Sequence, residues 1–221
     1  MLGDVLLIRD MHKAAASSIA EKVIEDKKTK SKFYKYIVAI SGESGAGKSE
    51  VSHALAKELK KLSIRVKILH ADNYYKVPPL LRTEWRKEKG MRTVGVNEYD
   101  WNLLQGNIKD FKEDRESMMP CIDIIPEQVD KLITDFKKID MLIIDGLYAL
   151  KAKNIDMRIH IDLTYHETKM IQIVRGKEKL NNFRMAILER EHQSVIKLKP
   201  LANYIINKSY QLTDPETGEL V

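Results

Sequence analysis

The sequence of 221 residues lacks features on which disulfide-bonded, membrane-spanning and secreted proteins depend. Its one cysteine, Cys121, excludes an internal disulfide and a cysteine-rich metal site. No apolar run exceeds about five residues, whereas a membrane helix needs about 20. The N-terminus also lacks the basic and apolar regions of a signal peptide. These absences predict a cytoplasmic protein with no membrane partner.

The charged residues are only slightly unbalanced, with 38 Lys and Arg against 32 Asp and Glu. Hydrophobic residues make up 43% of the chain, which is enough for the buried core of one domain. A lysine cluster lies between Lys27 and Lys35, but the aromatic side chains on which nucleic-acid bases stack barely interrupt it. We therefore expect a solvated surface there and no nucleic-acid partner.

Strand-like and helix-like segments alternate along the chain. Apolar, β-branched runs predict strands over 36–40, 64–69, 141–144 and 158–163, and helical spacing covers 4–26 and 51–62. Strands that are apolar on both faces and alternate with helices are typical of a parallel sheet covered by helices. We expect an N-terminal helical extension over 1–35, one three-layer α/β domain over 36–212, and a loose polar tail over 213–221.

The segment between the first predicted strand and the next helix fits the pattern G-x-x-x-x-G-K-[ST]. Glycines allow successive backbone N–H groups to point into one concavity, and the helix adds its positive N-terminal end. The lysine brings a full charge to the β- and γ-phosphates, and the last hydroxyl is suited to Mg²⁺. The residues predicted to bind ATP are Gly42, Glu43, Ser44, Gly45, Ala46, Gly47, Lys48 and Ser49.

Two aspartates follow predicted strands, where ligands gather in open α/β sheets. Asp145 ends the strand over 141–144 and is suited to orient Mg²⁺ together with Ser49, although it could also serve only a turn. Asp72 follows the second strand, where a carboxylate would face the γ-phosphate and could accept a proton, or could cap a helix. The chain lacks the Asn-Lys-x-Asp segment that reads guanine, which argues against a GTPase.

Four further segments follow the phosphate loop in an order that resembles the uridine kinase/phosphoribulokinase group of P-loop kinases. They are Ala71–Tyr75, Tyr99–Trp101, Ile144–Leu150 and Leu201–Ile206, and the resemblance spans about residues 36–210. It implies a P-loop NTPase fold with a mostly parallel five-stranded sheet, helices on both faces, and a small helical lid over about 165–195. ATP and Mg²⁺ are the implied substrate and cofactor.

The resemblance also implies roles for single residues. Asp72 matches the catalytic base, Tyr75 the lining of the acceptor pocket, and Asp145 the acid that assists Mg²⁺. By position, Arg175 and Arg184 are the lid arginines that reach the transferring phosphoryl group, beside Lys48. Asp100 is a further candidate for the acceptor pocket. The acid with which uridine kinases contact the ribose has no counterpart in the stretch from Val94 to Asp100.

The predicted reaction is transfer of the γ-phosphoryl group of ATP to a hydroxyl of a small metabolite, with a nucleoside such as uridine first. A sugar phosphate or a pantothenate-like acid is the alternative acceptor, because the segment after Tyr75 is basic. A nucleotide-switched binding protein is the alternative of another class. The sequence leaves open whether the protein is a homo-oligomer.

Overall fold

The computed structural model describes residues 5–123, 128–170, 172 and 181–221. The strands are β1 Tyr36–Gly42, β2 Val66–His70, β3 Glu116–Asp123, β4 Gln128–Asp135, β5 Met141–Asp145, β6 Met157–Ile161, β7 Tyr204–Ile206 and β8 Leu212–Thr213. The helices described in full are α1 Asp10–Lys28, α2 Lys48–Lys61, α3 Pro79–Lys89, α4 Trp101–Lys112 and α5 Asn182–Ile196. Short 3₁₀ turns link several of them, among them Ala71–Tyr74 after β2.

The central sheet has the strand order β2-β5-β1-β6-β7-β8. Neighbours from β2 to β7 run parallel, and β8 pairs antiparallel with β7 at the edge. The prediction of a mostly parallel sheet is confirmed, and β8 adds a sixth strand to the five expected. His70 is paired with Asp145, and Asp145 with Ile40, so the carboxyl ends of β2, β5 and β1 lie level.

Alternate side chains of β1 enter two different cores, because successive side chains of a strand point to opposite faces. Ile37 and Ala39 belong to the core beneath α4 and α5, whereas Val38 and Ile40 belong to the core beneath α1 and α2. The three-layer prediction is therefore confirmed. Over the part of the chain that the structure describes, no helix is both long and apolar enough to span a bilayer.

The N-terminal helix α1 begins later than its sequence pattern predicts. It starts at Asp10, and Val5, which the pattern assigns to its apolar face, is 69% exposed. Ala16, Ile19 and Val23 are fully buried in the same core as α2. The helix therefore completes one side of the sheet, and the boundary of a separate extension at residue 35 stays a prediction.

A two-stranded antiparallel sheet of β3 and β4 was not expected from the sequence. Met119 and Ile122 of β3 are buried, but six of the eight residues of β4 are exposed. A strand that is exposed on both faces shows no alternation of apolar and polar residues, and so it carries no periodic signal.

The C-terminal segment forms hydrogen bonds within itself and to β8, and the expectation of a loose tail over 213–221 stays a prediction. Asp214 accepts hydrogen bonds from the backbone N–H groups of Glu216 and Thr217, at 2.8 and 3.0 Å. The N–H of Val221 donates to the carbonyl of Leu212 at 3.2 Å. This polar sequence forms a turn because an aspartate can satisfy the backbone N–H groups that follow it.

Gly47, which precedes α2, has both a left-handed φ of +79° and no room for a side chain. A Cβ atom there would lie 2.7 Å from the hydroxyl of Tyr210 and 3.0 Å from Nε2 of His12. We predict that Gly47→Ala lowers the free energy of unfolding by about 1–3 kcal/mol more than Gly218→Ala does. Gly218 has a φ of +72° but no atom within 4 Å of its Cβ position. Equal losses in urea denaturation would show that steric contact is unimportant.

His160 of β6 should make the stability of the protein depend on pH. Burial, together with the positive charges of Lys199 and Lys48, lowers the pKa of His160 from 6.5 to about 4, although Asp162 opposes the shift. Below pH 6.5, His160 therefore binds a proton in the unfolded chain but stays neutral in the folded protein. The free energy of unfolding consequently falls as the pH approaches 4. When the pH is lowered from 7.5 to 5, the free energy of unfolding of the natural protein should fall by about 2 kcal/mol more than that of His160→Asn. Urea denaturation at both pH values tests this, and parallel losses would contradict it.

Candidate active site

The loop between β1 and α2 has a backbone shape suited to a phosphate. Gly45 and Gly47 have φ values of +81° and +79°, which turn the chain so that α2 starts directly at Lys48. The first N–H groups of α2 and its dipole favour an anion at this end of the helix. Lys48 Nζ donates to the carbonyl of Glu43 at 2.8 Å, so its charge lies across the loop. The assignment of Gly42 to Ser49 to ATP stays a prediction, with this geometry in its favour.

Glu43 contributes to this loop in a way that the motif does not predict. Its side chain is buried, with Oε2 accepting from the backbone N–H of Tyr165 at 2.7 Å and Oε1 lying 2.6 Å from Nδ1 of His192. The next carbonyl, that of Ser44, accepts from the hydroxyl of Thr168 at 2.8 Å. The phosphate loop is thus attached to the segment after β6 and to α5, and only the backbone of Glu43 is left for a nucleotide.

Asp145 lies at the end of β5, next to the last residue of β2. Its Oδ1 is 2.7 Å from Nδ1 of His70, whose ring stacks on that of His53 at 5.6 Å. Burial alone would raise the pKa of Asp145, but His70, Lys48 and the Ser49 hydroxyl hold it below its ordinary value. The carboxylate is therefore ionised at neutral pH.

An ionised carboxylate and a hydroxyl are oxygen donors of the kind Mg²⁺ prefers. Within the described residues no group of three or more His, Cys, Asp or Glu side chains could hold a metal by itself. Ser49 and Asp145 therefore fit a Mg²⁺ ion that takes its other ligands from phosphate oxygens and water, as Mg²⁺ bound with a nucleotide usually does.

Asp72 lies in the 3₁₀ turn directly after β2, and its Oδ1 accepts a hydrogen bond from the hydroxyl of Tyr99 at 2.7 Å. Tyr99 is fully buried, and burial together with the nearby charge of Asp72 raises its pKa well above 10. The tyrosine therefore stays protonated and donates. No described residue donates to Oδ2 of Asp72, so this oxygen can accept a further hydrogen bond, and the role of Asp72 as a base stays a prediction.

Two short segments pair to bring Tyr99 to Asp72. The N–H of Asp100 donates to the carbonyl of Tyr74 at 2.7 Å, and the ring of Tyr75 meets that of Tyr99 edge-on at 4.6 Å. Tyr75 thus lies beside the predicted base. Asp100 caps α4, since its Oδ1 accepts from the N–H of Leu103 at 3.0 Å. This gives Asp100 a structural role, and its contact with an acceptor stays a prediction.

Of the two predicted lid arginines, Arg175 lies outside the described residues. Arg184 is in the first turn of α5, with Nη1 3.4 Å from Oε1 of Glu191. Glu191 also accepts from Arg86 of α3, and Arg86 makes two hydrogen bonds to Glu98, at 2.7 and 3.0 Å. The network joins α3 to α5, and the role of Arg184 in phosphoryl transfer stays a prediction.

Several contributors to the site lack a local signal in the sequence. Tyr99 lies 27 residues from Asp72, and Tyr165 lies 122 residues from Glu43. Such pairs depend on how the strands order in the sheet, which no motif specifies. His70 offered one weak signal, since it directly follows the strand predicted over 64–69 and lies two residues before Asp72.

Known proteins are similar to this chain in sequence and in fold. Residues 37–187 match the model of the phosphoribulokinase/uridine kinase family. A curated protein named uridine kinase, from Staphylococcus aureus, is 28% identical over 189 residues, covering 82% of this chain and 88% of that protein.

Solved structures show the same fold at low identity. Phosphoribulokinase from Rhodobacter spheroides is similar with a TM-score of 0.63 and 10% identity, over 86% of this chain and 76% of that one. D-glycerate 3-kinase from Cryptococcus neoformans has a TM-score of 0.58 and 13% identity, over 96% of this chain and 97% of that one.

The attachment of Glu43 gives a testable prediction about stability. Glu43→Ala should lower the free energy of unfolding by about 1–3 kcal/mol, because the buried N–H of Tyr165 loses its acceptor. Glu43→Gln keeps an amide oxygen for that N–H and should lose clearly less. Glu189→Ala is the matched control, since Glu189 bonds the same tyrosine only through its hydroxyl. Urea denaturation measures all three, and equal losses for the Ala and Gln variants at Glu43 would contradict the role assigned to that oxygen.

Proposed function

Because the chain belongs to the phosphoribulokinase/uridine kinase family, we propose that it transfers the γ-phosphoryl group of ATP to a hydroxyl of a small molecule. Membership establishes a kinase, with ATP as the donor that such a kinase implies. The observation that carries the finer proposal is the alignment of three strand ends. The phosphate loop follows β1, Asp145 ends β5, and Asp72 follows β2, which is the strand beyond β5.

The donor side of the reaction is assigned to the loop. The backbone N–H groups of residues 43–49 and the Nζ of Lys48 bind the phosphate oxygens. Ser49 and Asp145 would hold Mg²⁺, which supplies positive charge to the phosphates when bound. Arg184 and Arg175 are proposed to add charge at the γ-phosphoryl group from the lid.

The acceptor side is assigned to Asp72. Oδ2 of Asp72 accepts the proton of the acceptor hydroxyl. At the same time the hydroxyl oxygen of the acceptor bonds to the γ-phosphorus, and the bond between that phosphorus and the oxygen of ADP breaks. Tyr99 holds Oδ1 through its hydroxyl and so orients the carboxylate. Tyr75, whose ring lies on Tyr99, is proposed to line the acceptor pocket.

Uridine is the first acceptor to test, because the curated relative that covers most of the chain is named uridine kinase. One observation favours a different acceptor. Glu98, an acid of the stretch that corresponds to the ribose-binding segment of uridine kinases, is buried and already bonded to Arg86 and to the N–H of Gly95. It is therefore not available for a ribose.

Replacement of Asp72 tests the proposed reaction. Asp72→Asn should reduce acceptor-dependent ADP release by about 10²–10⁴-fold, because an amide does not accept the proton. ATP affinity, measured by titration with a non-hydrolysable analogue, should stay within about twofold, since Asp72 is not a phosphate ligand. Tyr99→Phe keeps the ring and should give a smaller loss.

Two results would contradict the proposal. Near-normal transfer by Asp72→Asn would remove Asp72 from the chemistry. ATP hydrolysis that no small acceptor accelerates would instead favour the nucleotide-switched binding protein.

A further inference from the structure

Two arginines one helical turn apart on α3 have very different surroundings. Arg86 is buried and bonded to the carboxylates of Glu98 and Glu191. No carboxylate pairs with Arg82 among the described residues. Since an arginine cannot lose its charge at physiological pH, Arg82 is a cation without a counter-charge in this part of the protein.

The guanidinium of Arg82 is also held in place. It lies 3.6 Å from the centre of the Tyr75 ring, and its Nε donates to the carbonyl of Val77 at 3.2 Å. Its Nη2 is shielded from solvent and has no hydrogen-bond partner among the described residues. Leaving a shielded donor of a charged group unbonded is unfavourable, and such a group in a folded protein calls for an explanation.

Arg82 is connected to the proposed base through two tyrosines. Its guanidinium covers the ring of Tyr75, and that ring meets Tyr99, whose hydroxyl bonds to Asp72. Burial raises the pKa of Tyr75 well above 10, so this tyrosine is neutral and does not balance the arginine. The pair of tyrosines therefore contacts a cation through the ring of Tyr75 and the proposed proton acceptor through the hydroxyl of Tyr99.

Two acids that could instead bind the hydroxyl groups of a neutral acceptor already accept hydrogen bonds from the protein. Glu98 bonds to Arg86 and to the N–H of Gly95, and Asp100 caps α4. Arg82 thus brings to Tyr75 a charge that no described carboxylate balances and, at Nη2, a hydrogen-bond donor that no described residue accepts.

We propose that the Arg82 guanidinium binds an anionic group, a phosphate or a carboxylate, on the same small molecule whose hydroxyl is phosphorylated beside Asp72. This inference rests on the proposed function and narrows its acceptor to hydroxylated anions. A planar guanidinium suits both groups, because each presents two oxygens to a pair of N–H donors.

The first experiment compares acceptors in matched pairs by acceptor-dependent ADP release. The pairs are D-glycerate with glycerol and ribose 5-phosphate with ribose, and uridine is measured beside them as a neutral nucleoside. They separate a carboxylate from a phosphate and each anion from its neutral parent. We expect at least one anion to exceed its neutral partner by about tenfold or more in kcat/KM.

The second experiment removes the charge. For the best anion, Arg82→Gln should lower kcat/KM by about 10–100-fold, mainly through KM, and Arg82→Lys should lose less. The KM for ATP should not change. Lys89→Gln on the same helix is the control, because Lys89 is exposed and its contact is with the adjacent Glu88. The same anion should also be titrated calorimetrically into the natural protein and into Arg82→Gln, with a non-hydrolysable ATP analogue present. The affinity of Arg82→Gln for the anion should be lower by the same factor.

The outcomes separate this inference from the proposed function. If uridine or another neutral acceptor is best and Arg82→Gln leaves its KM unchanged, the inference fails and the kinase proposal stands. Equal losses for a neutral acceptor and its anionic partner would assign Arg82 a structural role and also overturn the inference. If neither anionic nor neutral acceptors accelerate ADP release, both proposals fail.

Discussion

The backbone of the phosphate loop sets a constraint on which much of the surrounding structure depends. A loop that turns its N–H groups toward phosphate must have its carbonyl groups satisfied by other parts of the protein. Thr168 donates to the carbonyl of Ser44, and Tyr210 donates to that of Ala46. These donors come from the segment after β6 and from the loop before β8, so the shape of the phosphate loop depends on contacts with remote parts of the chain. The close approach of Tyr210 also explains why position 47 has no room for a side chain.

A second constraint acts on the acceptor side, where a carboxylate has to be oriented without being neutralised. A hydrogen bond from a neutral hydroxyl achieves this. An arginine in the same place would strongly favour the ionised form of the carboxylate, which would lower its pKa and make it a weaker proton acceptor. Tyr99 supplies that hydroxyl, and burial keeps it protonated. Arg86, which is near enough to affect the same region, is bonded to Glu98 and Glu191 instead. The acidic network thus keeps one cation away from the base.

Local sequence specifies the geometry of the proposed donor half of the site more than that of the proposed acceptor half, and the reason is physical. Residues 42–49 form a contiguous motif between a strand and a helix, so their arrangement follows from local structure. Asp145 was predicted for the same reason, because it ends an apolar strand. The bond from Tyr99 to Asp72 and the position of Arg82 on Tyr75 depend on tertiary contacts between short irregular segments. Asp100 shows the limit most clearly, since an acid before a helix fits a cap as well as a substrate contact. The hairpin of β3 and β4 was missed because its exposed strand has no periodicity.

The difference between the donor half and the acceptor half of the site also bears on how an acceptor is selected. Proteins named uridine kinase, phosphoribulokinase and D-glycerate 3-kinase resemble this chain in sequence or in fold, although their names specify different acceptors. The sheet and the phosphate loop therefore cannot determine the acceptor. In this chain Arg82 of α3 contacts Tyr75, and Tyr99 belongs to the stretch from Val94 to Asp100; both elements lie outside the sheet and the phosphate loop. Tyr99 also meets the rings of Trp101 and Tyr148. A change confined to α3 can pair or unpair an arginine there without altering the strand ends to which we assign ATP. Under the proposed function, the charge of the acceptor therefore depends on a helix outside the sheet, through the contrast between Arg82 and Arg86.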